Sequence, residues 1–558
     1  MGGYRISCLL FTCFLTSITQ GEKVSYFNNT KISKDVFLIF KQSDELPNVP
    51  NDEDIVEETK ELQPNVVYYL NVQFIPDWAQ FIILQTHAYL HNVTLGYNIE
   101  KLPKKYVTGQ NIGLVQNVTT SRTAQFFLEN DNPFNVSVLV AVVAYSKNAP
   151  VPGGCNLEFE VETAPWLRVN VTGPMVSVSS QPSRGPSTWG VMGPCDLPSL
   201  RYQSYHLYLP EKDFQVDTYF DYLRRMITVK RILQNGRLVP DTAMGSMLHT
   251  YSAYHGTGSV YATVVTINSL SSQQDAAYVP ALTYTCSPDQ YTDTCQVLTS
   301  TFSRSLLALV LFIGLFVCFF GHSFFQTELF LMSTLMGSIL TYILVAPLGM
   351  SDSANVVLAT VGGITIANFW LLLWWTIGSP LFSLIVATLS LGFLSASLVF
   401  YTPLADNVYM ESNVNFWLAF LCCMLVVAVM FAPYTNRVNI LACSVVGSYA
   451  AIVPVDHYIG ASLKYIFINT MRRATVSGFN QAIIDPPFQI KDGVLALIWV
   501  GLAVVGFLMQ SQRFGDKPVF PRSPHHWGSM PTTPRRNSLV SEERPLLYGS
   551  PGSDSVFT

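Results

Sequence analysis

Residues 303–321 read SRSLLALVLFIGLFVCFFG and contain a single charged side chain, that of Arg304. A transmembrane helix needs about 20 mostly apolar residues to cross roughly 30 Å of hydrocarbon, so this stretch predicts a membrane span. Six later stretches are also apolar on all sides. Buried helices of a soluble protein are the alternative, but a soluble fold needs helices with polar faces, which these stretches lack. The seven predicted spans are 303–321, 329–349, 355–376, 380–402, 414–433, 438–455 and 493–511.

The composition of the whole chain agrees with a partition into a polar part and a lipid-soluble part. Charged residues make up 12% of the 558 positions, against about 25% in soluble proteins, and mean hydropathy is +0.30. Only 13 of the charged residues lie between Ser303 and Gln510. The net charge of -5 gives no basic excess for binding phosphates, so we expect the lipid bilayer, and no nucleic acid, as a partner.

The N-terminal half carries the marks of the secretory route. Residues 1–21 have Arg5, an apolar run and then small or polar residues, which predicts a signal peptide. Five N-x-Ser/Thr sequons follow, and none occurs after Ser303. We therefore expect a luminal or extracellular location with N-glycosylation. The predicted glycosylation sites are Asn28, Asn92, Asn117, Asn135 and Asn170.

Four cysteines remain between the signal peptide and the first span. An even number in an oxidising compartment suggests two disulfides with three possible connectivities. The short separation of Cys286 and Cys295 around a turn-like sequence favours that pair, which leaves Cys155 with Cys195. Zinc is the alternative, but the Cys-x2-Cys spacing is absent and no histidine lies nearby.

The region before the first span reads as β-structure. Runs rich in β-branched and aromatic residues alternate with Pro, Gly and Asn clusters, which favours β-sandwiches. The predicted strands are 66–74, 81–89, 135–145, 157–161 and 258–267, and one helix is predicted at 211–226. A Pro/Ser/Gly-rich stretch at 177–198 suggests a boundary. The predicted domains are a signal peptide (1–21), two β-rich ectodomain parts (22–176 and 177–302), a seven-helix domain (303–511) and a cytosolic tail (512–558).

Catalytic chemistry is hard to find. His87 and His91 lie four positions apart, but their surroundings read as strand and turn, so separate packing or surface roles are favoured over a metal site. No Gly-x-Ser-x-Gly, His-Glu-x-x-His or phosphate-binding glycine-rich motif occurs. We expect no catalytic residue, metal or cofactor, and hence a protein that is not an enzyme.

The orientation follows from the span count and from charge asymmetry. An odd number of crossings with the N-terminus outside places the tail in the cytosol, and positive residues after the last span agree. The loop from Asp456 to Asp492 is the exception, because it is predicted outside yet holds four basic residues. Its residues Ala461–Met471 suggest either an interfacial helix, with Leu463 and Tyr465 against the bilayer, or an eighth crossing that would reverse the tail.

Several motifs together resemble one family. They are Val151–Phe159 (VPGGCNLEF), Cys318–His322 (CFFGH) with Thr327–Phe330 (TELF), and Val446–Tyr449 (VGSY). They are similar to the transmembrane 7 superfamily member 3 family, and the membrane block is also similar to transmembrane protein 198. In such relatives the first inner turn carries basic residues, whereas Ser323 and Gln326 stand here. The resemblance implies a plasma-membrane protein linked to cell survival, reduced endoplasmic-reticulum stress and support of secretion, without an established ligand.

The tail is rich in Pro, Ser and Gly, which predicts disorder. Arg535 and Arg536 precede Ser538 in a pattern typical of basophilic kinase sites, so Ser538 is a candidate phosphorylation site. Glu542 stands four positions before Leu546 and Leu547, which matches the acidic dileucine signal that clathrin adaptors bind.

The sequence thus predicts a multi-pass α-helical membrane protein, a seven-helix bundle with an N-terminal luminal or extracellular all-β ectodomain. We expect a receptor-like or scaffold protein of the plasma membrane, with endosomal or endoplasmic-reticulum pools, that acts through ectodomain and tail contacts. A small-solute transporter or channel is the alternative, and it would need a polar path around Asn368 and Asp456.

Overall fold

The computed structural model describes residues 33–40, 55–186, 193–195, 199–240, 247–268, 273–288, 295, 298, 300–378, 381–402, 407–431 and 434–513. The predicted signal peptide, Asn28, Ser538 and the dileucine residues Glu542, Leu546 and Leu547 lie outside these residues.

Nine strands form the first β-sandwich. Its two sheets have the orders β1-β3-β8-β5-β6 and β2-β9-β4-β7, and β1 pairs with β3 in parallel. The apolar runs that predicted strands at 66–74, 81–89 and 135–145 form β3, β4 and β9. The strands are β1 Ser33–Ile39, β2 Ile55–Leu62, β3 Val67–Gln73, β4 Ala79–Ala88, β5 Val93–Gly96, β6 Tyr106–Gly109, β7 Asn111–Asn117, β8 Ala124–Glu129 and β9 Val136–Ser146.

A second pair of sheets and two short helices follow. The sheets have the orders β10-β11-β14-β18 and β13-β12-β15-β16, with β17 beside β15. Helix α1 is shorter than the predicted 211–226. The elements are β10 Arg168–Thr172, β11 Met175–Ser179, β12 Leu200–Tyr208, α1 Val216–Arg224, α2 Val229–Asn235, β13 Arg237–Leu238, β14 Leu248–Ser252, β15 Ser259–Asn268, β16 Gln273–Ala277, β17 Ala281–Thr283 and, far along the chain, β18 Ala482–Ile483.

Two further details of the ectodomain differ from the sequence prediction. The predicted strand at 157–161 is wrong: Leu157 is 85% exposed, and the Asn156 side chain donates to the carbonyls of Phe159 and Val161 to form a compact loop. The two sandwiches divide between β9 and β10, upstream of the predicted boundary at residue 177, because β11 spans that residue and pairs with β14.

The helical block begins directly after the second sandwich. Its helices are α3 Thr301–Phe320, α4 Phe325–Val345, α5 Asp352–Ile377, α6 Leu381–Phe400, α7 Asn413–Phe431, α8 Thr435–Ile459, α9 Tyr465–Thr475 and α10 Ile490–Arg513. In the described residues, five helical stretches are long and apolar enough to cross a membrane, and the first, Thr301–Leu348, contains both α3 and α4. Leu384–Phe400 of α6 is a shorter apolar helix. A multi-pass membrane protein with a β-rich ectodomain is therefore confirmed, and the count of seven crossings stays a prediction.

Small residues allow the helices to approach closely. A Cβ atom on Gly314 of α3 would lie 2.5 Å from the backbone nitrogen of Ala451 in α8, and one on Gly363 of α5 would lie 2.6 Å from the carbonyl oxygen of Thr334 in α4. Such contacts are typical of membrane helix pairs, where packing replaces the hydrophobic effect. As a result α3 packs chiefly against α8, and α4 packs chiefly against α5.

Candidate functional site: the junction between ectodomain and helical block

The segment that joins α8 to α10 is the place where the ectodomain meets the helical block. We name residues 460–489 the outer segment; it contains α9 and β18. Ile483 in β18 pairs with Tyr251 in β14, so the outer segment adds a parallel strand to the edge of the second sandwich. A sheet that recruits a strand from about 230 residues away ties two parts of the chain through backbone hydrogen bonds.

The outer segment begins and ends in tight turns that two buried carboxylates hold. Asp456, near the end of α8, accepts hydrogen bonds from the backbone nitrogens of Leu463 at 2.8 Å and Lys464 at 3.1 Å. Asp492, in the first turn of α10, accepts from the backbone nitrogens of Ser462 at 2.5 Å and Gln489 at 2.8 Å. Both carboxylates are fully buried, so they satisfy backbone donors that no water would reach.

Asp485 forms a charged contact with the second sandwich. Its Oδ1 atom lies 2.6 Å from Nη1 of Arg237, and its Oδ2 atom lies 2.6 Å from Nε2 of His206. Neither ring nitrogen of His206 has a well-aligned hydrogen bond among the described residues, so the short approach of Nε2 to Asp485 is a buried polar contact. The hydroxyl of Tyr208 donates to the Asp485 carbonyl at 2.7 Å. One residue of the outer segment therefore contacts two neighbouring strands, β12 and β13.

Helix α9 lies beneath the ectodomain. Nη1 of Arg472 donates to the carbonyl of Ala253 at 2.7 Å and to Oγ of Ser252 at 3.1 Å. The ring of Tyr254 meets the ring of Tyr465 edge to face, with centroids 4.8 Å apart. Tyr254 thereby joins the core of the helical block.

These contacts overturn both alternatives for the 456–492 loop. Leu463 and Tyr465 are buried in the core of the helical block, so the prediction that these two side chains face the bilayer is wrong. An eighth crossing is also wrong, because both ends of the segment contact the ectodomain. Nζ of Lys212 donates to the carbonyl of Tyr458 at 2.9 Å, and Nε2 of Gln489 donates to the carbonyl of Leu209 at 2.9 Å. The four basic residues of the loop thus lie on the ectodomain side.

A small polar cavity of about 20 Å³ adjoins the junction, lined by Glu211, His255, His457 and Lys464 among others. Oε2 of Glu211 is buried without a hydrogen bond in the described part of the chain. Burial, and then the nearby Asp492 carboxylate, raise the pKa of Glu211 to about 8. The protonated form of Glu211 is therefore favoured at neutral pH.

The opposite end of the helical block holds a second polar cluster. Nδ1 of His322 lies 3.0 Å from Nδ2 of Asn439, and the backbone nitrogen of His322 donates to Oε1 of Gln510 at 3.0 Å. Glu328, which the sequence places beside the same turn, is buried with its Oε2 atom 4.0 Å from Nδ1 of His322. Arg513 stacks over Phe320 there. The end of α10 therefore lies at the other end of the block from the ectodomain.

The two residues proposed for a transport path do not come together. Asn368 is exposed on the outer surface of the helical block, where its Nδ2 atom donates to the carbonyl of Ile364 in its own helix. Asp456 is used at the junction. The polar path required by the transporter alternative is therefore not formed by these residues.

The other predicted sites fall as follows. Disulfides join Cys155 to Cys195 and Cys286 to Cys295, which is the pairing that the sequence favours. The four described sequon asparagines, Asn92, Asn117, Asn135 and Asn170, are all exposed. His87 is buried and contacts Asn111 and Gln85, and burial lowers its pKa to about 4. No group of three or more His, Cys, Asp or Glu side chains is arranged to hold a metal among the residues described.

Sequence reasoning did not identify the junction. Asp485, His206 and Arg237 are far apart in the chain, and their sequence neighbourhoods carry no motif. The available signal was indirect: four basic residues in a loop expected outside the membrane, where a partner surface could explain them.

Comparison with known proteins agrees with this architecture. A family model for a TM7SF3-like N-terminal immunoglobulin-like domain matches residues 51–145, and one for the second TM7SF3-like immunoglobulin-like domain matches residues 150–289. A TM7S3/TM198-like domain model matches residues 307–511.

Curated relatives match along most of the chain. Transmembrane 7 superfamily member 3 of Rattus norvegicus is 34% identical over 461 residues, and that of Homo sapiens is 31% identical over 456 residues. In each case the match covers 80% of this chain and 80% of the relative. The resemblance predicted from the motifs is confirmed: the chain belongs to the transmembrane 7 superfamily member 3 family.

Proposed function

We propose that this membrane protein is a receptor-like or scaffold protein of the plasma membrane whose ectodomain and helical block act as one mechanical unit. Seven helices, α3 to α8 and α10, cross the bilayer. The N-terminal ectodomain lies outside, and the tail lies in the cytosol.

The observation that carries this proposal is the junction. β18 completes an ectodomain sheet, Asp485 contacts His206 and Arg237, and Arg472 donates to Ala253. An ectodomain joined to the helical block only by a flexible linker would not require these contacts. A ligand that shifts the second sandwich would also shift the outer segment, and with it the adjoining ends of α8 and α10.

Sequence patterns and family membership support a role for the ectodomain and the tail in binding other proteins. The ectodomain is a disulfide-bonded glycoprotein domain that binds an extracellular or luminal protein, and the tail is regulated by phosphorylation and by clathrin adaptors. The cellular role is pro-survival, with attenuation of endoplasmic-reticulum stress and support of secretion. No catalytic step is part of the proposal.

Proximity labelling in living cells tests the contact model from both faces. A labelling enzyme is fused either after the signal peptide or at the C-terminus. We expect recurrent surface proteins with the first fusion and adaptors with the second, and we expect Asp485→Asn to change the tail neighbourhood without lowering the surface level. The matched control is Asp221→Asn, which removes the ion pair between Asp221 of α1 and Arg225, the residue that follows α1. An empty outer neighbourhood would contradict the receptor or scaffold role.

A further inference from the structure

A large apolar cavity separates α3 from α4. The two helices are joined by a 3-10 turn at Gly321–Phe324 and then pack on different partners, α3 against α8 and α4 against α5. The space between them measures about 750 Å³, within the range of roughly 300–1,000 Å³ typical of sites for organic ligands. Along α3 the lining runs from Leu306 to Val317, which is about 16 Å of helix.

The deep part of the cavity suits hydrocarbon. Its walls include Val310 and Ile313 of α3, Leu335 of α4 and Val446 of α8. Because α3 and α4 are separated, their facing side chains do not contact each other. A chain-like apolar ligand in the cavity would give these side chains van der Waals contacts. Because α3 and α4 are candidate membrane-spanning helices, the ligand class that reaches this space from its surroundings is lipid.

The end of the cavity nearest the ectodomain is charged. Arg472 lines it and is 8% exposed. Its Nη1 atom donates to Ser252 and Ala253, and its guanidinium lies 5.4 Å from the centroid of the Tyr465 ring, but no carboxylate pairs with it in the described residues. Asp352, exposed at the start of α5, lines the same cavity and has no ion-pair partner there either. Tyr342 at the end of α4 lies within electrostatic range of both Asp352 and Arg472.

A buried cation without a countercharge is costly unless a ligand supplies one. A headgroup with a phosphate and an ammonium group would supply an anion to Arg472 and a cation to Asp352. We propose that the α3/α4 cavity binds one zwitterionic glycerophospholipid, with an acyl chain between Val310 and Leu335 and the headgroup phosphate at Arg472. The site shares Arg472 with the junction, but it does not require the receptor or scaffold role proposed above.

Photolabelling of the purified full-length protein tests the site. The probe is phosphatidylcholine with a diazirine near the end of one acyl chain. We expect labelled peptides from α3 and α4, and we expect Val310→Trp, which fills the cavity, to lower the labelling at least five-fold. Leu309→Trp is the matched control, because Leu309 is the neighbouring position, is 54% exposed and does not line the cavity. Its labelling should stay within two-fold of wild type.

Competition identifies the headgroup. Unlabelled phosphatidylcholine or phosphatidylethanolamine should reduce labelling more strongly than the same amount of phosphatidylglycerol, which lacks the ammonium group. Arg472→Gln should weaken labelling in protein that elutes as the wild type does on size exclusion. Equal labelling of the Val310→Trp and Leu309→Trp variants would overturn the site, and equal competition by phosphatidylglycerol would overturn the zwitterionic assignment.

Discussion

Replacing Asp485 by Asn should loosen the ectodomain from the helical block without unfolding either part. Asp485 is 9% exposed in its side chain, and its carboxylate lies 2.6 Å from both Arg237 and His206. Arg237 is 58% exposed, so its pair contributes only about 0–1 kcal/mol. The contact with His206 is mostly buried and adds to the stabilisation that Asp485 provides. We expect the variant to weaken the β14/β18 pairing by about 1–3 kcal/mol.

Hydrogen–deuterium exchange on the purified full-length protein measures this loss directly. A change of that size corresponds to roughly 5- to 150-fold faster exchange at the amides of β18 and of its partner strand β14. Amides in β4 and β9, inside the first sandwich, should keep their protection. The control Asp221→Asn removes an equally short ion pair at the C-terminal end of α1, away from the junction. Exchange in β18 that is the same in both variants would refute the role given to Asp485.

Three further outcomes follow from the ectodomain. Loss of the Cys155–Cys195 disulfide, whose cysteines are 40 residues apart, should destabilise the ectodomain by about 4 kcal/mol. Loss of Cys286–Cys295, whose cysteines are 9 residues apart, should destabilise it by about 2.6 kcal/mol. Thermal unfolding of the Cys→Ser variants measures both losses, and a larger loss for Cys286–Cys295 would contradict the prediction. His87 has its pKa lowered by burial to about 4, so the unfolded chain binds the extra proton and stability should fall by about 3 kcal/mol as pH drops from 6.5 to 4. Denaturation across that range should show a flatter profile in His87→Gln, and an unchanged profile would count against the assignment. Treatment with peptide N-glycosidase should increase the electrophoretic mobility of the protein. Each Asn→Gln substitution at a glycosylated sequon should increase the mobility by one step; the positions to test are Asn92, Asn117, Asn135 and Asn170. An unchanged mobility of the treated wild type would show that the sites are unused.

The parts of this protein that sequence could predict are those that local patterns determine. Long apolar runs specify α3 and α5 because lipid leaves few alternatives to a helix, and alternating β-branched residues specify β9. The Cys286–Cys295 pair follows from its short separation. Each of these signals lies within a few tens of residues.

The junction could not be predicted because its partners meet only after folding. Ile483 lies in a two-residue strand that is too short to have a periodicity, and its partner Tyr251 is in another domain. The apolar face of α9 reads as a membrane-surface helix, but Tyr465 and Ile466 are buried in the core of the helical block, where Tyr465 also packs on Tyr254 of the ectodomain. A single amphipathic stretch does not reveal which apolar surface will bury it.

Cross-linking across the β14/β18 pair tests the central claim, that the outer segment is part of the ectodomain. Thr250 and Ala482 are partners in the parallel register, and both are changed to cysteine in the full-length protein on intact cells. A short, membrane-impermeant bifunctional thiol reagent should join the two cysteines, so that cleavage between the ectodomain and the helical block leaves one covalently linked species. Two separate fragments, with Ala482→Cys reached by the reagent only after permeabilisation, would contradict the account.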